Sequence, residues 1–279
     1  MKTVMKVLGK VFKVIALALY LIAALLPLYW VVVTSLKGPR EIYTFPLKYL
    51  PSKLSFESYS KLFGFANFGV YFRNSAIVAL AAALAAMLIS MFSGYALSRI
   101  RAKRFRNGTL LAMYFTQMVP PFILMAPLFV MLANYGMTDR LSTLFILYVT
   151  MVIAFSTIMS KSFFDRIPIS LEEAAVIDGC NTLQALFKVV FPLTRPGLAA
   201  IFSFAFVNIW NELFLASMFI FSDEKMTVPV ALNSFISKAG ISWDVLSAGL
   251  VVSLLPTMIV FAFAQRYIIA GLTEGAVKG

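Results

Sequence analysis

Six runs of twenty or more residues dominate this sequence, at about residues 14–33, 74–97, 109–133, 141–160, 198–221 and 245–265, and five of them contain no charged residue. A helix rising ~1.5 Å per residue needs about 20 apolar residues to cross a hydrocarbon core roughly 30 Å thick. Each run is therefore long enough to span a membrane, and the runs predict an all-α integral membrane protein with residues 1–279 as a single transmembrane domain. Composition agrees: 61% of residues are hydrophobic and 13% are charged, against about 25% charged in soluble proteins. Histidine is absent and Cys180 is the single cysteine. That excludes disulfides within the chain and His/Cys metal sites, and it removes the commonest general acid–base residue. The first run follows Lys2, Lys6, Lys10 and Lys13 as a signal peptide would, but it is too long and lacks a small-residue cleavage site. It reads as an uncleaved first span.

The loops between the runs set the orientation. With both termini on one side, fifteen of the twenty-four Lys and Arg residues fall on that side and nine on the other. Five of the fifteen are Arg99, Arg101, Lys103, Arg104 and Arg106, within eight residues. The positive-inside rule puts both termini, the loop 161–197 and the tail 266–279 in the cytoplasm. The net charge of +12 is accounted for in the same way, and no nucleic-acid partner is expected. The basic cluster reads as a topology signal facing lipid headgroups.

Inside the spans, Ala82, Ala86, Ser90 and Gly94 recur every four residues and offer a face that another helix can approach closely. The third span carries Pro120, Pro121 and Pro127, which imply kinks. Glu212 is the single acidic residue within a span. A carboxylate at mid-membrane costs roughly 2.5–3.5 kcal/mol on insertion scales, so such residues face a bundle interior or a water-filled path. Two readings follow. Asn208, Trp210, Asn211 and Glu212, together with Gln117, line a translocation path, where amides and a carboxylate bind hydroxyls and an aromatic ring stacks on a flat face. Alternatively, Glu212 is a polar lock between helices, with Gln117 as its partner.

The most ordered polar segment is Pro168 to Pro196. Ser170 and Glu173 have capping-box spacing, with Leu171 as the first helical residue and Glu172 and Glu173 at the favourable end of the helix dipole. Gly179 ends that helix in the left-handed conformation. Asn181 opens a second helix, with Leu183, Leu186, Phe187 and Val190 at helical spacing, and Pro192 closes it. The product is a compact helix–glycine–helix unit between two spans.

Glu173-Ala174-Ala175, then Gly179, then Val189-Val190-Phe191-Pro192 resembles the EAA signature of permease subunits in binding-protein-dependent ABC importers. Asp178, Phe187 and Pro196 resemble the sugar-importer, MalG-like branch, as does the tail from Gln265 to Gly279. Cys180 departs from the alanine usual there. The resemblance covers spans two to six, the loop and the tail. It implies a MetI-like permease fold, with this chain forming half of a pore beside a second homologous permease. It also implies an ABC ATPase and an extracytoplasmic sugar-binding protein as partners, in a bacterial or archaeal cytoplasmic membrane with lipid around the spans. The segment becomes a coupling helix seated on the ATPase, with Glu172, Glu173, Ala174, Ala175, Asp178, Gly179 and Pro192 as coupling residues. No phosphate-cradling G-x-x-x-x-G-K-[ST] loop occurs. No cofactor, metal or catalytic residue is expected in this chain, and ATP and Mg would be bound by the ATPase. An amino-acid or peptide importer is one alternative. An ion-coupled secondary transporter using Glu212 is another, and an intramembrane enzyme is disfavoured by the lack of a second catalytic group.

Overall fold

The chain's apolar runs take up helix because backbone polar groups in lipid must be satisfied within their own segment. In the computed structural model, which describes residues 2–64, 67–237 and 240–276, five helical segments are long and apolar enough to cross a membrane. They lie in α1 (Lys2–Ser35), α3 (Phe68–Arg99), α6 (Leu141–Phe164), the stretch Thr182–Trp210 and α11 (Trp243–Ala276). Side chains beyond Arg266, where the tail signature falls, lie outside the described residues.

The third run is two helices, α4 (Lys103–Met118) and α5 (Pro121–Asn134), bent by 92°. The expected kink is a break, and its cause is local. Val119 and Pro120 are extended (ψ 116° and 128°), because a residue before proline is excluded from the helical region and neither Pro120 nor Pro121 has an N–H to continue the ladder.

The chain divides into two compact units. One comprises residues 1–69 and 232–254. In it, the Lys37 ammonium lies 4.6 Å from the Trp30 ring centroid and donates to the Lys48 carbonyl. Tyr43 Oη donates to the Ile241 carbonyl (3.0 Å) beside a two-stranded hairpin, β1 (Ile236–Ser237) and β2 (Gly240–Ile241). Lys61 of α2 (Glu57–Gly64) bridges Glu57 and Asp244. Helix α1 exposes Phe12, Tyr20 and Leu25, the apolar surface that lipid or another span covers.

The other unit holds residues 70–231 and 255–279. Ala82, Ala86 and Ser90 are fully buried, and at Gly94 an added Cβ would stand 2.5 Å from Ser160 Oγ and 2.8 Å from the Lys161 amide nitrogen. At Gly94 this small face of α3 thus packs on α6, and Ser93 and Thr157 share a hydrogen bond of 3.0 Å beside it. Gly94→Leu should push the helices apart at a backbone contact that cannot yield. Overpacking of this kind costs typically 1–3 kcal/mol, so thermal unfolding of the detergent-solubilised variant should occur several degrees below wild type.

Hydrogen bonds identify the two ends of this unit. At one end, Tyr71 donates to Asp223 (2.8 Å), Asn74 to the Glu224 carbonyl (2.9 Å), and the Val228 amide to Ser75 (2.8 Å). Asp139, at the start of α6, accepts from the Phe221 and Ser222 amides and pairs with Lys225 (2.7 Å). At the other end, Ser98 donates to Asp165 (2.6 Å). Helices α3 and α6 therefore run in the same direction, and the bent pair α4–α5 returns the chain from one end to the other. Counted as one, the pair brings the crossings to six.

Hydrogen bonds from Lys225 above all, then from Ser222 and Phe221, hold the Asp139 carboxyl well below the usual carboxylate range. A depressed folded-state value stabilises above the unfolded value, near about 3.9, and is lost as pH falls through the folded one. Asp139→Asn, which keeps the left-handed backbone (φ 54°), should lower Tm at neutral pH. The gap to wild type should narrow only below about pH 4. A gap independent of pH would show that the charge is not what matters.

Candidate coupling and pathway sites

Helix α7 (Ile169–Ile177) begins two residues earlier than capping-box spacing implies. Pro168 is the N-cap (ψ 133°), with no side-chain cap bond, and its carbonyl accepts from Leu171 (3.2 Å). The proline sets the extended approach, which leaves Ser170 inside the helix. The capping box lies one element later. Asn181 accepts from the Gln184 amide (2.8 Å), and the Gln184 side chain accepts from the Asn181 amide (2.9 Å), opening α8 (Thr182–Ala185).

Between them, Gly179 adopts φ +88° as expected. Its amide donates to the Val176 carbonyl (3.0 Å) and the Cys180 amide to that of Ala175 (2.9 Å). These are the paired bonds of a Schellman turn, and a positive φ there is cheap only for glycine. The turn sets α8 back against the bundle, where Leu186 and Val190 join a core with Met91, Phe164, Leu198 and Ile201. Leu183 and Phe187 remain exposed.

Pro192 does not close the second helix. Leu186–Val190 is a π-helical turn in which the Phe191 amide reaches the Leu186 carbonyl, and α9 (Phe191–Trp210) continues directly. Residue 192 has no N–H to offer the carbonyl four residues earlier, so the chain widens by one residue and carries on. Pro192 is thus a joint between the loop 161–197 and the span that follows it.

The two adjacent glutamates have opposite fates. Glu172 turns inward: Oε1 lies 2.6 Å from Arg99 Nη2 and accepts from Arg99 Nε (2.7 Å), and Oε2 accepts from Tyr95 Oη (2.7 Å). Side-chain exposure is only 15% for Arg99 and 12% for Glu172. The guanidinium also donates to the Phe164 and Ile167 carbonyls (3.2 Å each). Arg99 is thus not a headgroup-facing member of its cluster but the clamp that joins α3, the end of α6 and α7. Glu173, Ala174, Asp178 and Gly179 are exposed, as are Val176 and Ile177, the latter at 85%. Ala175 is buried and seats α7 on the bundle. The loop therefore presents an acidic and apolar surface on a rigidly clamped base. Beside it, burial raises the Asp165 pKa, but hydrogen bonds from Lys161 and Ser98 outweigh this and the net shift is downward.

The pathway candidates fall at a break in the fifth run. Instead of one span to residue 221, α9 stops at Trp210 and a short α10 (Phe214–Phe219) follows. Asn208 and Asn211 are exposed, and their amides donate to the Phe204 and Val207 carbonyls (2.8 Å each) in the last turns of α9. Trp210 is 3% exposed, stacked on Phe206 (5.7 Å) and edge-on to Phe72 (5.4 Å), so it belongs to the interior. Glu212 is half-buried. Its carboxylate accepts from the Leu215 and Ala216 amides (2.8 and 3.2 Å), the first-turn donors of α10, and from Tyr148 Oη (3.1 Å). Its cross-helix partner is Tyr148, while Gln117 is exposed on α4. Polar groups inside a membrane must be paired, and here the carboxylate satisfies donors that the helix break sets free. No local signal marks Tyr148 as that partner, since it lies 64 residues from Glu212.

Residues 86–274 match the family described as binding-protein-dependent transport system inner membrane component. The chain is 36% identical over 266 residues to the inner membrane ABC transporter permease protein YcjP of Escherichia coli, covering 94% of each chain. It is 34% identical to the sulfoquinovosyl glycerol transport system permease protein SmoH of Agrobacterium fabrum (97% and 95% covered) and 31% identical to the trehalose/maltose transport system permease protein MalG of Thermococcus litoralis (98% and 99%). A chain in the crystal structure of a bacterial ABC transporter involved in the import of the acidic polysaccharide alginate superposes with a TM-score of 0.80 at 23% identity, over 94% of this chain and 96% of that one, which establishes the same fold. The chain therefore belongs to the family of inner-membrane permease subunits of binding-protein-dependent transport systems.

Proposed function

We propose that this subunit serves an ATP-driven importer of sugars or oligosaccharides, forming half of the pore beside a homologous permease and taking substrate from an extracytoplasmic binding protein. The observation that carries the coupling half of this reading is the exposed Glu173, Ala174, Val176, Ile177, Asp178 and Gly179 surface on the clamped base of α7. Both termini and this surface face the cytoplasm, where a separate ATPase binds ATP and Mg. Closure of the ATPase moves α7, and the clamp passes that motion to α3 and α6 as a switch between inward- and outward-facing states. Sugar as the cargo is supported by the relatives that transport sulfoquinovosyl glycerol and trehalose or maltose.

Asn208 and Asn211 border the path in this proposal, with Trp210 and Glu212 holding the break in α9 that presents them. Secondary transport through Glu212 is disfavoured, since three donors already occupy that carboxylate.

The test is purification of the tagged chain from its native membrane in mild detergent. An ATPase and a second permease should co-purify in comparable amounts, and uptake in reconstituted vesicles should require ATP and a sugar. Recovery of this chain alone, still active in uptake, would overturn the reading. For the path, cysteines at 208 and 211 in a background lacking Cys180 should react with membrane-impermeant reagents. Reaction with lipid-soluble reagents only would remove those residues from it.

A further inference from the structure

A cleft of about 530 Å³ opens at the α7 end of the second unit, lined by Ser98 and Arg99 of α3, Arg106 of α4, Lys161 and Asp165 of α6, and Pro168. Its charges do not balance. Arg99 is neutralised by Glu172, and Lys161 by Asp165. Half-buried Arg106 acts on Asp165 only through space, and Asp165, already paired with Lys161, is the only carboxylate among the described residues that line the cleft. Arg101, Lys103 and Arg104 are exposed in the same stretch and add to the positive field. Helix α4 also starts here without a side-chain cap, so its first amides and dipole favour an anion.

The surroundings decide which anion. Leu110 and Ile169 line the cleft, and from it α4 carries exposed Leu111, Tyr114, Phe115 and Met118 along the membrane-crossing run. A polar cleft with one surplus cation, opening onto an apolar helix face, matches a phosphodiester headgroup with its acyl chains laid along α4. We propose that this cleft is a binding site for one anionic phospholipid. Basic pockets between transmembrane helices take anionic headgroups in this manner. Pro168 is both a wall of the cleft and the N-cap of α7, so a bound headgroup would bear on the base of the coupling loop. The proposal rests on the chain's place in a membrane, not on its cargo or its ATPase.

Native mass spectrometry of the purified full chain in mild detergent, titrated with phosphatidylglycerol or phosphatidylcholine, tests it. Phosphatidylglycerol should be retained in preference and resist displacement by millimolar inorganic phosphate. Arg106→Gln should weaken retention about fivefold, the worth of one cation at a lipid headgroup, while Arg104→Gln, exposed outside the cleft and contributing only to the surrounding field, should weaken it much less. Asp165→Asn removes the carboxylate that opposes the anion and should strengthen retention, a gain that misfolding could not mimic. Equal retention of the two lipids, or equal losses in Arg106→Gln and Arg104→Gln, would overturn the site in favour of a diffuse field. Displacement by inorganic phosphate would overturn it in favour of a free-anion site, and so would the absence of any gain in Asp165→Asn.

Discussion

Gly179→Asp should accumulate in the membrane at the wild-type level and transport almost nothing. The structure separates the two halves of that result. A Cβ at position 179 meets nothing within 4 Å, so the chain's own packing is undisturbed. The backbone is at φ +88°, where a non-glycine residue costs roughly 1–2 kcal/mol. That cost falls on an exposed turn, outside the core of Met91, Phe164 and Leu186. What changes is the surface, which gains a second carboxylate beside Asp178 at the point where the proposed ATPase cleft would close on it. Every ~1.4 kcal/mol lost at such a contact is tenfold in affinity, and an uncompensated charge buried at an interface costs more than that. ATP-dependent uptake in vesicles should fall by at least about tenfold, and less ATPase should be recovered with the tagged chain. Gly179→Ala, which keeps the strain without the charge, should lose much less. Unchanged uptake in Gly179→Asp would mean that this face of α7 docks nothing.

The parts of the molecule that could be read from sequence are those where one residue type answers one local demand. The crossing runs were legible because lipid tolerates few alternatives to an apolar helix. The Ala82, Ala86, Ser90 and Gly94 face was legible because small side chains suit a buried helix face, and at Gly94 nothing larger would let Ser160 come so close to α3. Gly179 was legible because the turn demands positive φ. What failed were choices settled by distant partners. Glu172 and Glu173 have the same local chemistry, and about 100° of helical rotation decides that one meets Arg99, 73 residues earlier, and the other faces out. Pro192 carries the same punctuation whether a helix ends there or widens by one residue. Trp210 and Asn211 are neighbours, yet the packing of Phe72 and Phe206 around the ring puts one inside and leaves the other exposed.

Removing the carboxylate of Glu172 should be the most damaging single change in the loop 161–197, and for a reason distinct from the proposed docking. In Glu172→Ala, Arg99 stays at 15% side-chain exposure with only Ser98 and the Phe164 and Ile167 carbonyls to accept its protons. Tyr95 Oη loses its acceptor as well. Breaking a buried pair from one side typically costs 3–5 kcal/mol, because a charge is left uncompensated, whereas replacing both partners with apolar groups of similar size is often near neutral. Glu172→Ala should therefore lower Tm strongly and reduce the amount of folded protein, and Arg99→Met should do so to a similar degree. The pair Arg99→Met with Glu172→Leu should recover much of the loss. A double-mutant cycle isolates this coupling. If the clamp also transmits movement from α7, the recovered double variant should fold and retain its ATPase yet take up substrate poorly, since the apolar replacement holds α7 by packing alone. Full uptake in a stable double variant would reduce the clamp to a stability device. Additive losses in the two single variants would mean that Arg99 and Glu172 contribute independently, despite their 2.6 Å contact.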